Sequence, residues 1–315
     1  MKVKFWGTRG SIPTPLSPAA IEGKIRQALR GAAGLDLSSE AAIERYLQRL
    51  PVTIRSTVGG NTPCVEVRAG QQVLVLDAGS GLRLLGQELM KTEFGKGQGA
   101  VDILISHTHW DHLQGLPFFR PGFIPGNRVT FHSPHDHLKK AFVGQQDFIY
   151  FPVPLDYLSG DIQFHHIPAG EWTQIGDCRV YPFRMKHPGE SYAYRIEYES
   201  ASLVYATDSQ YNPVDQAARQ VYVEFFRNAD LLIFDAQYSF SDATEEKQDW
   251  GHSTPMIGAD LAHRAGARRL ALFHHDPLSD DEAVYSGLKQ AEAVLARLGS
   301  PCQVMIASEG LEVEL

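Results

Sequence analysis

A cluster of polar side chains directly follows an apolar run in the stretch SHTHWDHLQG at positions 106–115. Three histidines and one aspartate fall within six residues: His107, His109, Asp111 and His112. A packed core does not accommodate such groups, because burying each unpaired polar group costs about 1–3 kcal/mol. Neutral imidazole and carboxylate are ligands of zinc and similar divalent ions. Four ligands exceed what one tetrahedral ion takes from one loop, so the stretch predicts a site for two metal ions.

The same arrangement recurs along the chain, because six apolar strands end at residues that can bind metal. The residues at these strand ends are Asp77, the cluster from His107, His187, Asp208, Asp235 and the run His274-His275-Asp276. Sites in sheet proteins gather where strands end, since rigid elements hold ligands steady. The pattern therefore predicts that these side chains contribute to one site.

Short apolar stretches predict strands, and longer stretches with helical spacing predict helices. Strands are predicted at 2–6, 64–68, 72–76, 101–105, 128–132, 162–167, 179–185, 193–198, 202–206, 231–235, 269–273 and 303–307. Helices are predicted within 78–91, at 213–228, 255–265 and 280–298, and as a helical hairpin over 18–50. Strands come first in hairpin-like runs and later alternate with helices, which indicates an α/β or α+β sandwich with a mixed sheet. No linker divides the chain, so we predict one domain over 1–315 with 18–50 as an insertion within it.

Charge and cysteine content exclude several classes of protein. The formal net charge of −8 argues against a broad basic surface for nucleic acid. The three cysteines, Cys64, Cys178 and Cys302, are too far apart to indicate a disulfide framework or a cysteine zinc finger. The sequence has no signal-peptide pattern and no apolar run of roughly 18 residues. We therefore expect a cytoplasmic protein without a membrane partner.

The stretch HTHWDH resembles the HxHxDH motif of the metallo-β-lactamase superfamily, and further pieces match in the same order. These pieces are Asp77 after QVLVL, His187 in KHPGESYAYRI, Asp208 in VYATDSQ and His274 in LALFHHDP. The resemblance implies a four-layer αββα sandwich. It also implies one ion held by His107, His109 and His187, a second held by Asp111, His112 and His274, and Asp208 bridging both. His274 is preferred to His275 as the ligand because it follows the strand directly.

Three outer stretches resemble the ribonuclease Z and cyclic-phosphodiesterase branch: FWGTRGS, GGNTPCVEV at 59–67, and Gly251-His252-Ser253-Thr254. The resemblance implies that His252 and Ser253 bind substrate and that His252 protonates the leaving oxygen. Asp235 stands where the branch carries a carboxylate that orients this histidine. A carboxylate–imidazole dyad suits a general acid near neutral pH. The catalytic residues implied are Asp111, His252 and Asp235.

The expected function is that of a two-metal hydrolase that cleaves a phosphodiester, most simply a small cyclic nucleotide or cyclic phosphate, through a metal-bridging hydroxide. Zinc is the expected metal, with manganese and iron also compatible. Three alternatives stay open: a tRNA 3′-processing endonuclease like ribonuclease Z, a thioester or lactam hydrolase, and a non-catalytic scaffold or sensor. Ribonuclease Z fits less well, because no long Gly/Pro-rich arm is found between Pro121 and His187. Relatives of this kind also imply a homodimer.

Three further residues or segments bear on these alternatives. His109 stands where the di-iron oxygen reductases of the superfamily carry glutamate, which argues against iron redox chemistry. The aromatic stretch FIYFPVPLDYLSG at 148–160 is interpreted as a packed loop rather than as a wall for base stacking. Arg9 is interpreted either as a contact for an anionic substrate or as a member of a salt bridge.

Overall fold

The computed structural model describes residues 1–211, 216–238 and 251–315. Within these ranges the strands form two sheets of seven strands each. The first sheet contains β1 (Lys2–Gly7), β2 (Cys64–Ala69), β3 (Gln72–Leu76), β4 (Ala100–Leu104), β5 (Arg128–Ser133), β6 (Asp161–His166) and β14 (Glu312–Glu314). The second contains β7 (Thr173–Ile175), β8 (Cys178–Met185), β9 (Ser191–Tyr198), β10 (Ala201–Ala206), β11 (Leu231–Asp235), β12 (Arg269–Phe273) and β13 (Gln303–Ile306).

The two sheets have matching topologies. The order of the first is β14-β1-β2-β3-β4-β5-β6, and that of the second is β13-β12-β11-β10-β9-β8-β7. In the first sheet β3 to β6 pair in parallel, and in the second β10 to β13 do so. The carboxyl ends of parallel strands meet at one edge of a sheet, which is where the polar strand-end residues lie.

The α-helices of the described residues are α1 (Pro18–Gly31), α2 (Glu40–Arg49), α3 (Val52–Arg55), α4 (Leu82–Leu89), α5 (Trp110–Leu113), α6 (Leu138–Gln145), α7 (Gln216–Phe226), α8 (Pro255–Ala265) and α9 (Asp281–Arg297). Helices α4 and α6 pack on the outer face of the first sheet, and α7, α8 and α9 pack on that of the second. The inner faces of the sheets pack on each other through residues such as Phe5, Tyr205 and Phe273. Separate apolar clusters lie between each sheet and its helices, around Phe131 and Phe234 respectively. The four-layer αββα sandwich expected from the sequence is therefore confirmed.

The predicted insertion at 18–50 forms helices α1 and α2. Ser39 caps α2 by accepting a hydrogen bond from the backbone N–H of Ala42, as the Ser-Ser-Glu start predicts. The Lys24 ammonium of α1 lies 2.7 Å from Asp281 Oδ2 at the start of α9, so an ion pair attaches the insertion to the sandwich. Part of the predicted helix 213–228 lies outside the described residues, at 213–215.

The interpretation of segment 148–160 as a packed loop holds for only part of it. Leu158 is buried in the apolar cluster around Phe131, whereas Phe148 is 86% and Tyr150 77% exposed. The segment precedes β6, the last strand of the first sheet, and the described residues place no further strand beyond β6. Arg9 is buried and donates to the backbone carbonyls of Gly59, Asp276 and Ser279, so it ties these loops together. The sequence also failed to indicate β7, β14 and α6.

Within the described ranges, no helix combines the length and the apolar character that crossing a membrane requires.

Candidate metal centre

Three of the polar strand-end residues adopt a left-handed backbone conformation. The φ angles of Asp77, Asp208 and His274 are 61°, 46° and 59°. Non-glycine residues rarely adopt such angles, and strained residues of this kind concentrate at functional sites. The sharp change of direction after β3, β10 and β12 turns each side chain toward the space between the sheet edges.

Three histidines from two segments form the first group of possible ligands. His107 Nε2 lies 3.0 Å from His109 Nδ1, and His187 Nε2 lies 3.2 Å from the same atom. All three nitrogens lie within 4.8 Å of one another. His107 and His109 come from the loop after β4, and His187 comes from the loop after β8. Three imidazole nitrogens converging in this way can hold one divalent ion.

Two carboxylates and two histidines form the second group, whose ligand atoms also lie within 4.8 Å of one another. Asp111 Oδ2 lies 3.2 Å from His112 Nε2 and 3.1 Å from His274 Nε2. Asp208 Oδ1 lies 3.4 Å and 3.2 Å from the same two nitrogens. All four residues are buried, so the group combines two negative charges with two imidazoles away from solvent.

Asp208 joins the two groups because each of its oxygens faces a different one. Oδ1 faces His112 and His274, whereas Oδ2 lies 3.6 Å from His107 Nε2 and 3.9 Å from His187 Nε2. A carboxylate placed between two groups of nitrogen ligands has the geometry of a bridging ligand.

Asp77 lies outside both groups and orients them. Its Oδ2 lies 2.7 Å from His112 Nδ1 and accepts a hydrogen bond from the Tyr205 hydroxyl at 2.7 Å. The Ser106 hydroxyl donates to the same oxygen and also lies 3.0 Å from His107 Nδ1. A carboxylate on Nδ1 fixes the tautomer of His112 and leaves Nε2 as the ligand atom.

Other supporting contacts could not be found from the sequence. Gln237 Oε1 lies 2.8 Å from His274 Nδ1, and the carbonyl of Gly251 lies 3.0 Å from His187 Nδ1. The backbone N–H of Ser11 donates to Asp111 Oδ2 at 2.8 Å. These partners are backbone groups or an uncharged amide in loops. Ser11 ends the stretch FWGTRGS and Gly251 begins the stretch Gly251-His252-Ser253-Thr254, but neither stretch indicates these contacts.

The surroundings keep the first group neutral and the bridging carboxylate ionised. Burial lowers the pKa of His107, His109 and His187, so each is neutral and able to bind metal near neutral pH. Burial would raise the pKa of Asp208, but nearby histidines, first among them His274, hold it well below its usual range. Burial would lower the pKa of His112, yet the neighbouring carboxylates, led by Asp111, raise it well above its usual value.

His252 and Asp235 form a dyad beside the second group. His252 Nδ1 lies 2.9 Å from Asp235 Oδ2 and 3.9 Å from Asp208 Oδ2. The imidazole of His252 stacks on that of His274, with ring centroids 5.1 Å apart. Burial would lower the pKa of His252, but the Asp235 carboxylate outweighs it and raises this pKa to about 9.

The structure also places the remaining predicted site residues. Ser253 follows His252 but is only 1% exposed, and its hydroxyl finds no hydrogen-bond partner in the described part of the chain. Thr254, rather than Ser253, caps α8 by accepting from the backbone N–H of Ile257. His275 turns away from the cluster, and its Nε2 donates to the carbonyl of Ala307 at 2.8 Å. His274 is therefore the histidine of this pair that meets the other ligands.

The residues present fit divalent metal ions. His112 Nε2 is buried and forms no hydrogen bond among the described residues, although two carboxylate oxygens approach it. His107 Nε2 and His109 Nδ1 face each other at 3.0 Å, an arrangement that a shared cation would stabilise. Imidazole and carboxylate donors in this proportion suit zinc, manganese or iron.

The model of the beta-lactamase superfamily domain matches residues 72–275. The chain belongs to the beta-lactamase superfamily. This match confirms that the stretch HTHWDH and the later strand-end residues resemble those of the superfamily. The site corresponds to that of the superfamily's metal-dependent hydrolases.

Similar sequences include an uncharacterized protein of Mycobacterium leprae, 25% identical over 299 residues, covering 92% of this chain and 89% of the relative. A ribonuclease Z of Archaeoglobus fulgidus is 26% identical over 275 residues, covering 69% of this chain and 82% of the relative.

Solved structures with the same fold include the metallo-beta-lactamase fold protein YhfI of Bacillus subtilis. Its TM-score is 0.65 and its identity 20%, and the match covers 100% of this chain and 98% of YhfI. A diphosphatase of the PhnP family has a TM-score of 0.59 and 18% identity, and the match covers 100% of this chain and 97% of the diphosphatase. Zn(2+)-bound PqqB of Methylobacterium extorquens has a TM-score of 0.62, 16% identity and coverage of 100% for both chains.

Proposed function

We propose that the protein is a two-metal phosphodiesterase that acts on a small substrate, a cyclic nucleotide or another cyclic phosphate. The observation that carries this proposal is the His252–Asp235 dyad, which lies against the metal-binding groups with His252 stacked on His274. A diphosphatase and a ribonuclease are among the similar proteins, and both names denote cleavage at phosphorus.

The seven ligands would hold two divalent ions, most simply zinc. One group is His107, His109 and His187, the other is Asp111, His112 and His274, and Asp208 is shared. Two such ions, when bound, lower the pKa of water and neutralise charge on the phosphoryl oxygens. Asp208 would serve both ions, because one of its oxygens faces each group.

His252 is placed to supply the proton that a departing alkoxide needs. Asp235 holds Nδ1 of His252, so Nε2 is the nitrogen left to act on the substrate. Asp235 is itself held by the backbone N–H groups of Ser209 and Gln237. As the bond between phosphorus and the leaving oxygen breaks, that oxygen takes the proton from His252 Nε2, and water provides the new bond to phosphorus.

A small substrate is favoured over tRNA by the charge and architecture of the chain. The net charge of −8 opposes binding of a polyanion over a wide surface. Residues 121–187, all of them described, form strands, helices and their connections, the longest of which is 146–160, and no Gly/Pro-rich extended arm is found among them.

The first test compares diesters whose leaving groups differ in their need for a proton. Metals are counted by mass spectrometry, and hydrolysis is measured with bis(p-nitrophenyl) phosphate and with 2′,3′- and 3′,5′-cyclic nucleotides. We expect about two metals per chain and hydrolysis of both kinds of diester. His252→Ala should lower kcat for the cyclic nucleotides by about 10²–10⁴. The loss should be much smaller for bis(p-nitrophenyl) phosphate, because nitrophenolate departs without protonation.

His166→Ala serves as the matched control, since this histidine is half exposed and lies outside the cluster. An equal loss with both diesters in His252→Ala would contradict the role of His252 as general acid. Two bound metals with turnover only of a thioester or a lactam would contradict the phosphodiesterase itself. A preference for precursor tRNA over all small diesters would favour the ribonuclease Z alternative.

A further inference from the structure

The stretch FIYF at 148–151 places three large apolar side chains in solvent one after another. Ile149 is 69% exposed, and Phe148 and Tyr150 on either side of it are more exposed still. Runs of exposed apolar residues are rare on soluble monomers and mark surfaces at which another molecule binds. None of these residues belongs to the candidate metal centre, so the stretch calls for a separate explanation.

These side chains are connected to a neighbouring part of the chain. The ring of Phe151 contacts that of Phe118, which is half exposed, with the ring centroids 5.8 Å apart. The backbone N–H groups of Tyr150 and Phe151 both donate to the carbonyl of Asp147, so residues 147–151 form one tight turn. The turn therefore presents its apolar side chains together rather than scattered over the surface.

The exposed surface continues along a cavity of about 580 Å³ beside helix α6. Val143, which is half exposed, and Phe148 line this cavity. Asp156 and Leu158 line it too, and Tyr157 between them is two-thirds exposed. We call the exposed apolar residues of this surface the aromatic patch; they are Phe118, Val143, Phe148, Ile149, Tyr150 and Tyr157.

The shape of the aromatic patch fits a second copy of the same chain. In a contact between two copies related by a two-fold axis, each residue meets its counterpart's partner, so the surface must be complementary to itself. The exposed turn 147–151 lies directly beside the concave surface of the α6 cavity. The turn of each copy can therefore enter the cavity of the other.

The charges around the cavity are self-complementary as well. Lys139 and Asp156 both line it, and the side chain of neither forms an ion pair with another of the described residues. A two-fold axis can place Lys139 of each copy against Asp156 of the other, which pairs all four charges. Complementary charges of this kind fix the register of an interface more than they add affinity.

The exposed area corresponds to what a stable dimer needs. Burying an aromatic side chain removes about 150–250 Å² of surface from water, so the four partly exposed aromatic residues of the patch account for on the order of 500 Å². Val143, Ile149 and the charged residues around the cavity bring this area near the roughly 800 Å² per partner of a standard interface.

A lipid surface is a poorer match for the aromatic patch. Segment 146–160, which carries four of the six patch residues, contains Asp147 and Asp156 but no lysine or arginine. Segments that lie on membranes combine apolar residues with basic ones, because the lipid surface is anionic.

We propose that the aromatic patch is the interface of a symmetric homodimer, in which the turn 147–151 of each copy packs into the α6 cavity of the other. The proposal is independent of the phosphodiesterase function, since the patch contains no ligand of the metal centre and its test measures molecular mass.

The first experiment is sedimentation velocity at several protein concentrations up to about 50 μM in about 0.15 M salt, where repulsion between chains of charge −8 is largely screened. We expect a mass twice that of one chain. Phe148→Ser combined with Tyr150→Ser should raise the dissociation constant about 100-fold, because it removes two apolar anchors of the interface. Both side chains are exposed in the single chain, so the circular dichroism spectrum should stay unchanged.

Leu29→Ser is the matched control. Leu29 is an exposed apolar residue of helix α1, outside the patch, so the dissociation constant should stay within about twofold. A monomer at every concentration would overturn the proposal. A dimer that resists the Phe148 and Tyr150 substitutions, or that dissociates with Leu29→Ser instead, would assign the interface elsewhere and overturn it too.

A charge exchange tests the two-fold arrangement itself. Lys139→Glu and Asp156→Lys should each raise the dissociation constant about tenfold, because each places like charges opposite one another across the axis. An equimolar mixture of the two single variants should dimerise again, since every substituted side chain then faces the opposite charge. Pairing within one chain cannot produce that rescue, so a mixture that dissociates like its components would contradict the arrangement.

The lipid alternative is tested with the same proteins. Phosphatidylcholine vesicles are sedimented with the unsubstituted chain and with the Phe148 and Tyr150 variant. Vesicle binding by a monomer, abolished by these two substitutions, would assign the aromatic patch to a lipid surface and overturn the homodimer. A dimer that does not sediment with the vesicles would support it.

Discussion

The two sheets contribute to the candidate metal centre in different ways. The first sheet supplies four of the possible ligands from one loop, residues 107–112, so their proximity is local in sequence. The second sheet supplies His187, Asp208 and His274 from three loops that follow β8, β10 and β12. The local half is set by the conformation of a single loop, whereas the dispersed half depends on the strand order of a whole sheet. The dispersed ligands should therefore be the more sensitive to changes in their supporting contacts.

The largest expected effect comes from the residue that belongs to both groups. Asp208→Ala should lower diester hydrolysis by about 10³ and reduce the metal content below two per chain, because both groups lose a ligand at once. Mass spectrometry and kinetics with bis(p-nitrophenyl) phosphate measure the two effects. Asp136→Ala, at a carboxylate that is 96% exposed, is the control. Retention of two metals and of activity within tenfold in Asp208→Ala would contradict the shared role.

Gly10→Ala should have a smaller effect on metal binding, because it acts only through His274, one of the dispersed ligands. A Cβ at Gly10 would lie 2.6 Å from ring atoms of His274 and from Gln237 Oε1. The displaced imidazole should weaken metal binding in the second group by about 10–100-fold. Competition with a chelator measures the affinity of each site.

Gly23→Ala is the matched control, because a Cβ at Gly23 in helix α1 would meet nothing within 4 Å. That variant should retain metal affinity and be more stable by about 1 kcal/mol, since glycine is a poor helix former. Equal metal affinity in the Gly10 and Gly23 variants would show that the His274 ring tolerates displacement.

Gln237→Leu tests the same ligand, His274, by removing a hydrogen bond to its ring. It removes the acceptor for His274 Nδ1, so affinity at the second group should fall about tenfold. Gln237→Glu keeps an acceptor oxygen and should restore much of that affinity. If both variants lost the same affinity, the glutamine would be filling space rather than orienting His274.

The smallest effect on activity is expected at the insertion. Lys24→Met removes the ion pair with Asp281, which is 3% exposed, and should cost about 2 kcal/mol in the free energy of unfolding. Activity on bis(p-nitrophenyl) phosphate should stay within twofold of the unsubstituted protein, since α1 supplies no ligand.

The Lys24–Asp281 pair also predicts a pH dependence. Burial would raise the pKa of Asp281, but hydrogen bonding with Lys24 and Val58 and the Lys24 charge lower it overall. A depressed pKa contributes stability that is present above the ordinary carboxyl pKa and is lost as pH falls through the folded-state value. Urea unfolding of both proteins between pH 7 and pH 3 should therefore show their difference shrinking on acidification. A difference that grew toward low pH would contradict the ion pair.

The sequence predicted most of the fold and the ligand groups. Helix α9 begins at Asp281, one residue after the start of the predicted 280–298, because Asp280 is its N-cap. The contacts that hold the ligands were not predictable. Gln237 and Ser11 reach His274 and Asp111 only because distant loops come together, and the stretches in which they lie do not indicate these contacts. Exposure of Phe148 was missed because aromatic content does not reveal whether a neighbouring strand covers a segment.

The position of Asp208 has a consequence for how the centre fills. One carboxylate offers an oxygen to each ligand group, so the occupancy of one group alters the charge and orientation that the other encounters. If two ions bind as proposed, the two binding events are linked by a coupling free energy, and that coupling is reciprocal by thermodynamic necessity. Titration of the metal-free protein should therefore deviate from two independent, identical isotherms. In Asp208→Asn, where the side chain loses its charge, the deviation should diminish along with the overall affinity.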